Sequence, residues 1–261
     1  MLRVLDRAWR LFGTGLGFAL IFGGGAVGAL TVLPLIAARQ RLRTGDRTAG
    51  SRQAQYAIHR FFRVYLALIQ ALGTIRIEVE GADKFSRLRG SLVIANHPTI
   101  LDVVVLMASI PRTQCIVKHQ LWHSRYLGGL VRVCGYIPND LDSAALLEAC
   151  RNSLAMGDNL IIFPEGTRTR PGEPPRFQRG FANIALLTKA PIQLVTITCK
   201  PLTMTKGEPW WRVPTRRPVF RVTVDEYLTT DDLLQHAERP KAARALVRQV
   251  EAHYGERLAI G

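Results

Sequence analysis

Two short stretches of the chain gather side chains that can move a proton and hold an anion. The first, SLVIANHPTILD (residues 91–102), reads as a buried strand that runs into a helix. Proline suits the first turn of a helix, so Pro98 leaves His97 at the loop–helix junction. Asp102 follows five residues later. On one ideal helix that offset turns two side chains to different faces. His97 and Asp102 therefore meet only if His97 lies outside the helix and folds back over its first turn. So joined, they make a base with an orienting carboxylate, which fixes the imidazole tautomer and stabilises the imidazolium that forms. The second stretch, NLIIFPEGTRTR (residues 159–170), is again a strand running into a turn. Glu165, Gly166, Thr167 and Arg168 bring a carboxylate, a flexible backbone and a guanidinium to one loop. Gly166 lets its backbone approach a phosphate, and Arg168 can bind that group through paired N–H donors. Arg170, Arg176 and Arg179 thicken the same basic patch.

The two blocks resemble those of the glycerophospholipid acyltransferase superfamily, the 1-acylglycerol-3-phosphate acyltransferases in particular. N-H-P-T-I-L-D is similar to that family's N-H-x4-D block and F-P-E-G-T-R to its F-P-E-G-T-R block, with their order and spacing kept. Gly135-Tyr136-Ile137-Pro138 stands where the family has a block between these two. Ala190-Pro191-Ile192 resembles its small-Pro-Ile strand entry, and the resemblance runs from about Ile75 to Asp225. It implies that His97 is the general base and that Asp102 orients it. The acceptor hydroxyl then attacks an acyl thioester directly, without a covalent acyl-enzyme. It further implies that Glu165, Gly166, Thr167 and Arg168 form the acceptor site, with Arg168 on its phosphate and Lys118 nearby. The implied partners are membrane lipid, a lysolipid acceptor such as 1-acylglycerol-3-phosphate, and acyl carrier protein or acyl-coenzyme A as donor. The thioester is a co-substrate, and no cofactor is implied. One departure stands out: the family's middle block commonly ends in arginine, whereas here the run is GYIPND. A carboxylate at Asp140 repels a phosphate. Either Arg132, Arg170 or Arg179 compensates, or the acceptor is another lysolipid, such as an amino-acid lipid. A catalytically silent lipid-binding or scaffold protein of the same fold is the rival reading, and intact His97, Asp102 and Glu165 count against it.

These blocks need elements to hold them. Strand-like runs at 75–80, 91–96, 114–118, 159–163, 192–198 and 219–224 alternate with helix-like ones at 99–109, 120–133, 142–156, 180–188 and 240–257. That alternation predicts an α/β domain with a mixed sheet flanked by helices, over residues 74–261. Residues 1–73 are expected to form an N-terminal membrane-associated helical motif. Leu11–Ala38 holds no charged side chain, and as one helix it would be about 42 Å long, more than the ~30 Å bilayer core requires. Gly23, Gly24 and Gly25 weaken a helix at its middle. Arginines flank both ends, and the positive-inside rule places both flanks on the cytoplasmic face. A re-entrant hairpin bending at the glycines satisfies both features better than a single span. Arg39–Ser51 reads as a polar linker, and 53–72 as a second amphipathic helix ended by Gly73.

Composition narrows the alternatives. The 261 residues carry a formal net charge of +15, which suits nucleic acid or an anionic membrane surface with phosphorylated substrates. The apolar N-terminus and the lack of any nucleic-acid-binding motif select the membrane. Cys115, Cys134, Cys150 and Cys199 form no short-spaced pair and read as buried thiols. No G-x-S-x-G elbow is present for serine hydrolysis. His119 and His123 have the two-histidine spacing of a zinc helix, but without the glutamate of H-E-x-x-H or an evident third ligand, so no metal is expected. Trp210 and Trp211, followed by Arg212, Arg216 and Arg217, suit either an interfacial anchor or an ordinary loop. The terminal helix is expected to pack and do nothing more.

Overall fold

In the computed structural model the described residues are 2–32, 34, 35, 38, 39, 47–169, 173, 175–230 and 238–260. Seven strands make one mixed sheet: β1 (Arg76–Glu80), β2 (Leu92–Ala95), β3 (Thr113–Val117), β4 (Ile137–Pro138), β5 (Asn159–Ile162), β6 (Ile192–Lys200) and β7 (Val219–Leu228). Their order is β1-β7-β6-β2-β5-β3-β4. All neighbours are parallel except β6 and β7. β2 is buried at every position, as its continuous apolar run requires of a strand covered on both faces. Among the described residues the named helices are α1 (Leu2–Val27), α2 (Arg47–Ala71), α3 (Ala82–Arg87), α4 (Asp102–Ser109), α5 (His119–Trp122), α6 (Gly128–Val133), α7 (Ser143–Ala155), α8 (Gly180–Thr188) and α9 (Arg239–Ile260).

Two apolar layers sandwich the sheet. On one side α2, α4 and α6 pack against it through Ile58, Leu66, Leu106 and Val131, and Val93 and Ala95 point into this layer. On the other, α7, α8 and α9 close over Leu92, Ile94 and Leu194 through Leu154, Phe181 and Leu246. The alternation of Leu92, Val93, Ile94 and Ala95 between the two layers is the period-two signature of a strand. All four cysteines are buried and free.

Several expected boundaries move. The helix anticipated at 99–109 starts at Asp102, because Thr99 and Leu101 are tied by side-chain bonds ahead of it. The 120–133 helix is two, α5 and α6, separated by a turn that Ser124 holds through bonds to the Tyr126 and Leu127 amides. α3 and the two-residue β4 were too short to show a period.

The N-terminal segment departs furthest from expectation. α1 does not bend at Gly23–Gly25; it runs unbroken to Val27 and continues as a π-helical turn, Gly28–Val32. Several of its glycines serve close packing instead, though Gly23 has nothing within 4 Å. A Cβ on Gly13 would lie 2.5 Å from Thr74 Cγ2, one on Gly17 3.3 Å from Ile69 Cγ2, and one on Gly24 3.0 Å from Phe61 Cε2. Rising numbers on α1 meet falling numbers on α2, so the two helices are antiparallel and the chain reverses between them rather than within the glycine run. Arg47–Ser51, expected as linker, is the first part of α2, while Arg41 and Arg43 lie outside the described residues. Val4–Val27 is long and apolar enough to cross a membrane. Phe12 and Phe22 are among its exposed side chains. Arg10, only 2% exposed, bonds Asp6 and the Pro214 and Thr215 carbonyls, fastening α1 to the loop that carries Trp210 and Trp211. Trp210 packs on Phe18, and Trp211 is exposed.

Candidate active site

β2 and β5 are parallel neighbours, with Ile94 opposite Ile162, so the two motif loops leave the sheet side by side at its carboxyl edge. That edge of an open α/β sheet is where crevices form. Asn96 fixes the first loop: its side chain donates to the Ile197 carbonyl at 2.8 Å and accepts from the Ile197 amide at 2.7 Å, clamping the end of β2 to β6.

His97 lies outside α4 and folds back over it, the arrangement that the five-residue offset demanded. Its Nδ1 is 2.9 Å from Asp102 Oδ2. The same Oδ2 accepts from the Thr99 amide at 2.7 Å, and Oδ1 accepts from the Thr99 hydroxyl at 2.7 Å. A carboxylate only accepts, so Nδ1 is the donor, and in the neutral ring that tautomer leaves the lone pair on Nε2. Burial pushes the Asp102 carboxyl up, while its bonds from His97 and Thr99 pull it back. Phe163 stacks on the imidazole with centroids 4.2 Å apart and holds the ring's plane.

The second loop locks onto the first through Glu165. Its Oε1 accepts from the His97 amide at 3.0 Å and from the Thr169 hydroxyl at 2.8 Å. The Thr169 amide in turn donates to the His97 carbonyl at 2.7 Å. Burial raises the Glu165 carboxyl, opposed by the Thr169 and His97 bonds. Gly166 turns the chain at φ +68°, a conformation that favours glycine, and a Cβ there would push aside the Gln178 amide 2.6 Å away.

His97, Lys118, Gly166, Thr167 and Arg168 all line one cavity of about 800 Å³. Asp102 stands behind His97, and Glu165 acts on the loop backbone. The deep walls are apolar, with Ile58 and Phe62 from α2, Met107 from α4, Val131 from α6 and Ile184 from α8. The sequence reading missed Thr99, Thr169, Phe163 and Lys206. The first two sit inside the motif blocks at offsets of three and four from a carboxylate. Lys206, from the loop after β6, lines the cavity with no local motif to announce it. Arg168 Nη1 donates to the Met204 and Thr205 carbonyls at 3.1 and 2.8 Å, which fixes the loop that presents Lys206.

The departure at GYIPND has a structural use. Asn139 Oδ1 accepts from the His119 amide at 2.9 Å, and Asp140 Oδ2 lies 2.5 Å from His119 Nδ1. That hydrogen bond from His119 holds the Asp140 carboxyl below its ordinary range. Of the arginines expected to compensate, Arg132 is turned onto the Trp122 carbonyl and Arg179 precedes α8; neither lines the cavity. Arg170 lies outside the described residues. The terminal helix does more than pack: the Tyr254 hydroxyl donates to the Ile94 carbonyl at 2.7 Å, two residues before the motif loop begins.

An acyltransferase family model matches residues 76–200. A 1-acyl-sn-glycerol-3-phosphate acyltransferase of Cocos nucifera is 34% identical over 128 residues, 47% of this chain and 41% of that protein. A 1-acyl-sn-glycerol-3-phosphate acyltransferase alpha of Homo sapiens is 27% identical over 191 residues, 68% of each chain. The chain thus spans about two fifths of the first relative's length and two thirds of the second's. Among solved structures, the 1-acyl-sn-glycerophosphate acyltransferase PlsC of Thermotoga maritima superposes with a TM-score of 0.67 over 99% of both chains at 19% identity, which establishes a shared fold.

Proposed function

We infer, from a chain whose residues 76–200 belong to the acyltransferase family, that it is an O-acyltransferase carrying a fatty acyl group from a thioester to the hydroxyl of a lysolipid, 1-acylglycerol-3-phosphate foremost. The observation that carries this reading is the His97–Asp102 pair, 2.9 Å apart, on the wall of an apolar cavity whose polar lining includes Lys118, Arg168 and Lys206.

The steps follow from that arrangement. The acceptor hydroxyl donates its hydrogen bond to His97 Nε2. As its oxygen bonds to the thioester carbonyl carbon, the proton passes to Nε2 and Asp102 stabilises the imidazolium. The carbon–sulfur bond then breaks, and the leaving thiolate recovers the proton from Nε2. The ring returns neutral, and no acyl group is attached to the protein at any stage. Met107, Val131 and Ile184 offer the acyl tail an apolar wall, while Lys118 and Lys206 offer the acceptor phosphate cationic partners. Arg168 adds its charge to theirs and keeps the Lys206 loop in place. α1 and α2 rest on the cytoplasmic face of the membrane, their exposed apolar side chains toward lipid, so that the cavity opens near its substrates. The donor's thiol belongs to acyl carrier protein or coenzyme A.

The direct test offers purified protein oleoyl and palmitoyl thioesters of both carriers with a panel of lysolipids, products read by mass spectrometry. Acylation of lysophosphatidate that disappears in His97→Ala supports the reading. Transfer retained by that variant, or no transfer to any lysolipid, refutes it.

A further inference from the structure

The pairing of β3 with β4 sets Val117 opposite Pro138, so the residues that follow each strand come out together: Lys118 and His119 on one side, Asn139 and Asp140 on the other. His119 opens α5 and His123 caps its end, four residues on, with ring centroids 4.2 Å apart. Asp140 is the third ligand that the sequence hid, separated from the pair along the chain but adjacent across the strands. One donor atom from each of His119, His123 and Asp140 lies within 4.8 Å of the others.

We propose that His119, His123 and Asp140 form a divalent metal site of the zinc class at the rim of the catalytic cavity. Two imidazoles and one carboxylate are the donor set of open tetrahedral zinc sites, and imidazole selects against magnesium and calcium. Ligand atoms about 2.1 Å from a tetrahedral ion lie roughly 3.4 Å apart. The His119–Asp140 contact of 2.5 Å must therefore open by about an ångström, and His123 must swing inward. Both movements are open to these side chains, since His119 is 55% and Asp140 42% exposed. The backbone beneath them is held, because Asn139 Oδ1 bonds the His119 amide. The three side chains are exposed, and their chain neighbours Lys118 and Asn139 line the cavity. A bound dication there reverses the sign that Asp140 alone gives this part of the rim.

The site is testable without reference to catalysis. Untagged protein, stripped with a chelator, is titrated with zinc against a chromophoric competitor. One equivalent should bind with a Kd of micromolar or below. His119→Ala, His123→Ala and Asp140→Asn should each weaken it at least tenfold, since even outer-shell changes cost ~10–100-fold. X-ray absorption should show two imidazole ligands. Circular dichroism of each variant checks that the fold is kept, as expected for exposed side chains. Absence of a stoichiometric equivalent in the wild type, or binding untouched by all three substitutions, overturns the proposal and leaves His119–Asp140 an ordinary surface ion pair. Lysolipid acylation measured on the stripped protein tests the functional reading separately.

Discussion

Asp102→Asn isolates the charge behind the proposed base while leaving its geometry almost intact. An asparagine with its oxygen in the place of Oδ2 still accepts from His97 Nδ1 and the Thr99 amide, now 2.9 and 2.7 Å from that atom. Its amide nitrogen then faces the Thr99 hydroxyl, 2.7 Å from Oδ1, whose oxygen already accepts from the Leu101 amide and has a lone pair to spare. Tautomer and ring position are thus kept, and only the compensation of the imidazolium is lost. A lower bound comes from losing a charge-assisted hydrogen bond, ~1.5–3 kcal/mol. An upper one is the ion pair at about 4 Å and an effective dielectric near 20, ~4 kcal/mol. The kcat should fall about 10- to 10³-fold, with KM for both substrates changed less than threefold. The melting temperature should hardly move, because the variant also removes a carboxylate that burial disfavours. Thiol release from an acyl thioester, followed with a chromogenic disulfide, measures the rate. Turnover within threefold of the wild type would refute the role given to Asp102.

Four other outcomes are expected. Thr169→Val removes the hydroxyl bonded to Glu165 and should lower kcat/KM by about five- to thirtyfold, ~1–2 kcal/mol; Thr169→Ser should restore it. Lys206→Ala should raise the KM for lysophosphatidate about tenfold with little effect on the thioester's, as steady-state kinetics with each substrate varied will show. Phe12→Glu with Phe22→Glu should reduce co-sedimentation with anionic vesicles at least tenfold, since each buried phenylalanine is worth ~1.5–3 kcal/mol. Burial opposes ionisation of Asp225, but His253 3.4 Å away, the bond from Thr196 and the charge of Arg257 prevail and hold its carboxyl below the usual carboxylate range. That stabilisation is complete above the unfolded value and is lost as pH falls through the depressed one. Asp225→Asn should therefore cost about 2 kcal/mol at pH 7 and flatten the acid unfolding curve below pH 4.

What the sequence disclosed depended on distance along the chain. His97 and Asp102, or Glu165 and Arg168, are close enough for local backbone rules to constrain them, and every strand but the two-residue β4 was long enough to read as an apolar run. Lys206 and Asp140 reach the same region by strand pairing and loop closure, and no local pattern encodes that. The glycines of α1 misled for another reason. Propensity counts what an isolated helix loses at glycine, whereas here α2 packs against the bare backbone at Gly17 and Gly24, and Thr74 just beyond α2 packs at Gly13. Tertiary packing overrode the local preference, and the expected bend disappeared with it.

The share that α2 takes in the cavity wall, through Ile58 and Phe62, bears on how a lipid tail gets there. Moving hydrocarbon into water costs about 0.8 kcal/mol per methylene. A sixteen-carbon tail crossing an aqueous gap would face ~12 kcal/mol, a slowing of roughly 10⁹-fold at 1.36 kcal/mol per decade. When α1 and α2 lie in the bilayer, one helix borders both the lipid and the cavity, and a tail passing along it exchanges one apolar surface for another. Under the proposed function, the membrane is the solvent from which the acyltransferase would draw its substrate.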